Sequence, residues 1–597
     1  MGHRYLTLGI TVLMLTGAFG LFVFGLDWLY MRPDEVLVYS HTNGSLFHTI
    51  WYQARRDVQA PLWHAFFWTW RRMAGGSEFA ARYQGVLWSS LTISLVYTLA
   101  RTWFKAPRFG WFAVAALVSN AYFFSYAFEV RPYPLVMFAA TLSMWLCWRW
   151  LMRPVVRRAL LYGASLALLG YVHYFLAFLV AAQIVYVAAQ RPNRTQLTQL
   201  AIAAGFAGLL WLPWAPNFVH QVSTLRQIDG GSLGIASTTL ETTPDVIDDL
   251  LELATNGTWA LWAVALLVGL VLVRRYEYGL LLLWALFVPI VNLTANLYVN
   301  VYAPRYVVYL VVGLALAAGV GLASLPFTPL RWGAMVLFVG LNLWQLPDHL
   351  PDRIPFRDVL TRMNTNSQPG DVVWFDEAKQ TGDYVAWHID AYLDDHLTAN
   401  QVTRLAEARE ARRVWHVTRD LFNPAVRERF YALENTHVLM LVTGNCDSGC
   451  FIAQLLETAP SSTPAAVFES PQYNDALPFY GVDVDHVTRE RVAVRLWWML
   501  DQPLTLDYSI SLRLTDTTGA IIAQQDGPPL TKDSTPQPTS QIPADHITVD
   551  WRTLTLSPGI TSGEYNLQLV VYQPVEGYTL TANTGETIVN LQTIMIP

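Results

Sequence analysis

The sequence predicts a polytopic α-helical membrane protein of about 11 transmembrane helices, each needing roughly 20 apolar residues. An extracytoplasmic α/β segment and a C-terminal β-sandwich follow. Three observations carry this. Of 597 residues, 53% are hydrophobic and 14% charged, against about 25% charged in soluble proteins. Charge is split along the chain: residues 1–348 hold 22 Lys+Arg against 14 Asp+Glu, net +8, and the rest hold 17 against 31, net −14. Finally, long apolar runs give way beyond residue 470 to strict alternation, the signature of half-buried strands. The same numbers exclude other classes. No soluble basic face is available for nucleic acid. Aromatics at 13% argue against disorder, and three cysteines cannot build a disulfide scaffold.

The expected spans are 5–29, 85–103, 109–126, 134–152, 158–171, 174–190, 199–216, 257–273, 277–297, 305–323 and 331–347. The first is read as an uncleaved span rather than a signal peptide, because its apolar run exceeds an h-region and no small-x-small site follows. The stretch 159–190 is too long for one straight crossing at about 1.5 Å per residue. It is read as two spans, with one broken helix as the alternative. Arg4, Arg101, Lys105, Arg108, Arg149, Arg153, Arg157, Arg158, Arg191, Arg194, Arg274 and Arg275 all fall on one side, which the positive-inside rule makes cytoplasmic. The acidic tail is then outside. The outer loop 30–84 nevertheless carries Arg32, Arg55, Arg56, Arg71, Arg72 and Arg82. These are either anchors of an amphipathic surface or a basic site for a lipid phosphate.

The membrane domain is placed at 1–347. Strands at 371–375, 413–417 and 437–443 alternate with helices at 400–412 and 423–434, which reads as a small α/β domain over 348–460. The Pro/Ser/Thr stretch 458–464 is a linker. Residues 491–498, 507–514, 547–556 and 565–572 alternate between turns and read as a β-sandwich over 465–597. Cys446 and Cys450 could close a local disulfide outside the membrane; Cys147 lies in a span and is read as packing.

Charged residues at span ends carry the functional information, since burying them idly is costly. Asp34 and Glu35 follow the first span and are either a solvated loop start or a carboxylate base at the interface. Asp57 precedes an aromatic helix, 63–70, too short to span and rich in Trp, so expected to lie in the membrane plane. Glu78 and Arg82 lead into the second span. Glu129, Arg131 and Tyr133 end the third; the first two could simply pair locally. His173 and Tyr174 stand at a later outer turn, where core packing is the bland reading, and Arg305 opens a late span. All converge on one membrane face.

In this order the features resemble the GT-C glycosyltransferases, specifically the protein O-mannosyltransferase and aminoarabinose-transferase-like group (glycosyltransferase family 39-like). The resemblance rests on Asp34-Glu35 after the first span, Asp-x-x-x-Pro-Leu at Asp57, Pro61 and Leu62, and Glu-x-x-x-Arg at Glu78 and Arg82. It continues with Glu-x-Arg-x-Tyr at Glu129, Arg131 and Tyr133, then His173-Tyr174 and Arg305-Tyr306. It covers roughly residues 1–380. Where the family often has His-Pro-Pro, this chain has Gln59-Ala60-Pro61, a departure that bears on the sugar or acceptor.

The resemblance implies a hexosyl- or pentosyltransferase that takes a sugar from a polyprenyl phosphate in the outer leaflet. The acceptor would be a hydroxyl of a protein, lipid or glycan, and neither cofactor nor metal is implied. Asp34 is the expected base, with Glu35 as helper or as the base itself. Arg82, Arg131 and Arg305 are candidates for the departing phosphate, whose charge arginine stabilises bidentately. Glu129, Tyr133, His173 and Tyr174 would line the donor site, while Asp57 and Glu78 would position the acceptor or the loop. Two other readings stand beside it. A transporter of lipid-linked sugars would usually show internal repeats. A noncatalytic membrane-anchored glycan-binding protein would stack sugars on tail rings such as Trp497, Trp498 and Trp551, although alternation makes some of these core.

Overall fold

Within lipid the backbone must satisfy its own polar groups, which leaves the helix as the form for long apolar runs. The described residues up to Leu350 follow this. The structure, a computed structural model, describes residues 2–26, 30–57, 59–225, 243–297, 302–350, 354–376, 383–446 and 450–597. The end of the first expected span, 27–29, lies outside them. Two units form, Met1–Arg353 and Ile354–Pro597.

In the first unit α1 (Gly2–Gly25) precedes three loop helices, α2 (Pro33–His41), α3 (Leu46–Arg55) and α4 (Leu62–Ala74). Next come α5 (Glu78–Phe104), α6 (Pro107–Val118), α7 (Ala121–Tyr126), α8 (Tyr133–Met152), α9 (Val156–Val172), α10 (Ala177–Ala189), α11 (Arg194–Trp211) and α12 (Ala215–Leu225). The unit ends with α13 (Thr243–Thr255), α14 (Trp259–Leu272), α15 (Tyr276–Leu282), α16 (Val288–Asn296), α17 (Leu310–Ala323) and α18 (Thr328–Trp344). Each expected span is helical over most of its length. Among the described residues, three helices are long and apolar enough to cross a membrane: Tyr5–Gly25, Tyr133–Met152 and Tyr276–Asn296. Two bent pairs raise this to five: Arg194–Trp211 with Ala215–Thr224, at 72°, and Thr243–Thr255 with Trp259–Leu272, at 75°.

Two of the other expected stretches are broken at polar residues. The stretch 109–126, expected as one span, breaks at Asn120. Its side chain accepts the Phe123 N–H at 3.0 Å to cap α7, and its amide donates to the Ala254 carbonyl at 2.8 Å. Asn256 accepts the Ala121 N–H and donates to the Ser119 and Asn342 carbonyls. An unpaired amide in apolar surroundings costs a few kcal/mol, of order 2–7, so this network outweighs helix continuity. The stretch 159–190 breaks at His173, whose backbone is extended between α9 and the 3₁₀ turn Tyr174–Leu176. At Gly85 of α5 a Cβ would come 2.6 Å from Phe128 Cα. Glycine there lets the turn after α7 lie directly on α5.

In the second unit α19 (Phe356–Asn366) precedes a five-stranded mixed sheet: β1 (Val372–Phe375), β2 (Gln401–Val402), β3 (Arg413–Thr418), β4 (Val438–Asn445) and β5 (Phe451–Glu457), in the order β2-β1-β3-β5-β4. The expected helix over 400–412 shortens to Leu405–Glu410, because 401–402 pair in parallel with β1. Cys446 and Cys450 are joined as a disulfide, and Cys147 is a buried free thiol.

Two further five-stranded sheets follow. The first contains β6 (Ala466–Glu469), β7 (Ala476–Val487), β8 (Arg491–Met499), β11 (Ile547–Thr555) and β14 (Thr581–Ala582). The second contains β9 (Ser509–Thr515), β10 (Ile521–Gly527), β12 (Gly563–Gln573), β13 (Tyr578–Thr579) and β15 (Val589–Ile596). Period two makes β8 two-sided. Val492, Val494, Leu496 and Trp498 join Ile510, Leu512, Leu567 and Leu569 in one apolar cluster. Trp497 faces the other way, into a cluster with Val373, Trp415 and Leu455 of the mixed sheet. Trp497 and Trp498 are thus both buried. Trp551 is covered by Arg495 and Lys532, whose charges lie 5.5 and 5.9 Å from its ring centroid. Two of the three rings are thus core, as alternation implies for some of them, because both faces of β8 are covered.

Candidate active site

The site begins at the first turn of α2, whose nine residues start with Pro33-Asp34-Glu35. Glu35 is fully buried. One of its oxygens accepts the Arg32 N–H at 2.8 Å, closing the helix start. The other accepts the Val130 N–H at 2.8 Å. The carboxylate thereby ties α2 to the turn after α7. Arg82, also fully buried, stands behind it: Nη2 is 3.8 Å from Glu35 Oε2, Nη1 is 3.0 Å from Glu78 Oε1, and Nη1 donates to the Leu26 carbonyl at 2.8 Å.

Asp34 turns the other way, because successive helical residues point about 100° apart. Its side chain is 44% exposed, and its Oδ2 lies 3.9 Å from Arg305 Nη1. Arg131 Nη1 donates to the Asp34 backbone carbonyl at 3.2 Å. Arg32 Nη1 is 3.3 Å from Glu129 Oε1, with its charge over the Tyr126 ring. The structure thus brings Asp34, Glu129, Arg131 and Arg305 together and adds Arg32 and Tyr126. The Arg32–Glu129 pair links distant parts of the chain, and only the six arginines of the outer loop hinted at it.

Aromatic rings form one wall. His173 is 6.2 Å, ring to ring, from Tyr133 and 5.5 Å from both Phe175 and Tyr306; Phe175 stacks on Tyr306 at 4.7 Å. Burial first, and then the fields of Arg131 and Arg305, push the His173 imidazole down to about 3. A depressed imidazole charges only below its lowered value, so His173 is neutral from pH 5 to 8. Replacing His173 with Gln is therefore expected to leave the shape of the pH–rate profile unchanged over that range. A moved acid limb would show that the imidazole titrates there.

Tyr174 lies apart. Its hydroxyl donates to Gln221 Oε1 at 2.6 Å and accepts from Trp214 Nε1 at 2.8 Å, while Gln221 Nε2 donates to the Gln53 and Gln59 carbonyls. Tyr174 and Gln221 therefore brace the segment between α3 and α4. Asp57, in that segment, is near His41. The aromatic loop helix, α4, buries Trp63, His64 and Phe67, while α3 exposes Phe47, Ile50 and Trp51.

Comparison with known proteins bears on this arrangement. Residues 58–215 match the family described as dolichyl-phosphate-mannose-protein mannosyltransferase. That segment holds Glu78, Arg82, Glu129, Arg131, Tyr133, His173 and Tyr174. No curated protein matches the chain. Among solved structures, ArnT from Cupriavidus metallidurans in the apo state is 14% identical, with a TM-score of 0.49, over 75% of this chain and 98% of that one. The same figures hold for that protein bound to undecaprenyl phosphate. Arabinosyltransferase EmbB from Mycobacterium smegmatis is 12% identical, with a TM-score of 0.40, over 96% of this chain and 65% of that one. Over residues 58–215, about a quarter of its length, the chain thus matches the model of the dolichyl-phosphate-mannose-protein mannosyltransferases.

Proposed function

We propose that the protein transfers a sugar from a polyprenyl-phosphate donor to an acceptor hydroxyl at the outer face of the membrane, by inverting displacement with Asp34 as base. One observation supports this most. Asp34 is a half-exposed carboxylate 3.9 Å from Arg305, with Arg131 on its backbone carbonyl, whereas Glu35 beside it is buried and tied to backbone N–H groups. The acceptor oxygen attacks the anomeric carbon as Asp34 takes its proton. The bond from that carbon to the phosphate oxygen breaks, and its electron pair leaves with the lipid phosphate. Arg131 and Arg305 stabilise that charge, the task a divalent cation performs in other phosphate chemistry, so the displacement needs no metal. Glu35 and Arg82 become positioning groups, with Arg82 withdrawn from the phosphate ligands because its guanidinium lies between Glu35 and Glu78. Glu129 orients Arg32, and Tyr133 and His173 wall the sugar.

The likeness to ArnT bound to undecaprenyl phosphate suits a donor of that kind. With loop 30–84 outside, the second unit is extracytoplasmic. Its two facing sheets form a β-sandwich over 465–597, beside an α/β domain over 348–460. The test is incubation of membranes holding the protein with a panel of polyprenyl-phosphate hexoses and pentoses, followed by mass analysis of products. Turnover of at least one donor is expected; none for any donor sinks the reading.

A further inference from the structure

The outer loop gathers three side chains that the transfer reaction does not use. His41 closes α2, Asp57 lies between α3 and α4, and His64 is in the first turns of α4. One donor atom from each lies within 4.8 Å of the other two. His41 Nδ1 stands 3.8 Å from Asp57 Oδ2. The three come from separate elements, so local geometry does not force their meeting. His64 is 1% exposed, and beyond an approach to the Ala60 backbone its ring nitrogens make no hydrogen bond. Buried polar groups are normally satisfied, and one that is not calls for an explanation such as an ion.

Two imidazoles and a carboxylate suit a borderline-soft divalent cation. Magnesium and calcium favour oxygen sets, whereas zinc takes nitrogen and oxygen ligands at about 2.0–2.2 Å in a tetrahedron. Ligand atoms of such a tetrahedron stand about 3.3 Å apart, so the His41–Asp57 gap of 3.8 Å needs to close only slightly. Arg131 adds a positive field at His64, which the Asp57 carboxylate offsets.

We propose that His41, Asp57 and His64 hold one divalent transition-metal ion, zinc by ligand preference, with water in the fourth position. The ion joins the end of α2 to the start of α4. Seven residues of helix, about 10 Å at 1.5 Å per residue, separate His41 from Asp34 at the other end of α2. The ion therefore fixes the helix that carries Asp34 without touching the reacting atoms. This inference does not depend on the donor, the acceptor or the transferase reading.

The test uses the full-length protein in detergent, stripped with a chelator and then titrated calorimetrically with zinc chloride. One equivalent of zinc per chain is expected, and cobalt in its place should give the visible absorption of a four-coordinate site. In His41→Ala and in Asp57→Asn, uptake should fall to background. His41 is at a helix end with a partly exposed side chain, so its truncation is compatible with folding, and the wild-type titration needs no variant. Substoichiometric uptake by the wild type, or undiminished uptake in either variant, overturns the proposal.

Discussion

Asp34→Asn is expected to lower kcat by about 10²–10⁴-fold, the usual contribution of a positioned base, while the protein still folds and inserts. The side chain is half exposed, and its contact is a 3.9 Å approach to Arg305, which is itself 37% exposed. An ion pair that open to solvent contributes about 1 kcal/mol or less, so stability should barely change. The amide keeps the shape but cannot accept the acceptor's proton. Donor KM should change little, because Arg131 holds the Asp34 backbone carbonyl and not its carboxylate. Single-turnover transfer with the purified protein, beside a thermal melt, separates the two effects. Unimpaired transfer by this variant would remove Asp34 from the base role. Glu35→Gln offers the contrast. It lies one residue on, but its carboxylate is buried against Arg82, so its loss should appear first in the melt.

That contrast marks how far the sequence can be read. The order of the charged motifs, Asp34-Glu35, Glu78-Arg82 and Glu129-Arg131, was legible, because charge at span ends stands out against apolar runs. Which of two adjacent carboxylates faces the site was not, since that depends on the entry angle of α2 against the turn holding Val130. The Glu78–Arg82 contact was available as a helical i,i+4 spacing and argues for a structural pair, yet an arginine at an outer span end reads equally as a phosphate ligand. Asn120 looked like one polar residue in an apolar stretch; its partners Ala254 and Asn256 lie far along the chain. The β8 strand was legible in full, because alternation fixes both of its faces before any neighbour is known. His41, Asp57 and His64 were beyond reach, since their spacing matches no local ligand pattern and only the packing of three loop helices brings them together.

Arg82→Leu is expected to act in the opposite sense to Asp34→Asn, destabilising the protein by about 3–5 kcal/mol, the cost of removing one partner from a buried ion pair. Arg82 lies between two carboxylates, 3.0 Å from Glu78 and 3.8 Å from Glu35, and donates to the Leu26 carbonyl. Removing it leaves negative charge at the join of α1, α2 and α5, where Glu35 also fixes the turn carrying Glu129 and Arg131. Arg82→Lys should recover only part of the loss: one ammonium is a point charge and cannot span both carboxylates in a fork. A phosphate ligand would behave otherwise, with a normal melt, weaker donor binding and better rescue by lysine, since lysine also binds phosphate as a point charge. Melting temperature and donor KM measured on the same purified variants decide between the two. A stable Arg82→Leu protein with raised donor KM would return Arg82 to the donor site and leave Glu35 without the buried partner on which its positioning role depends.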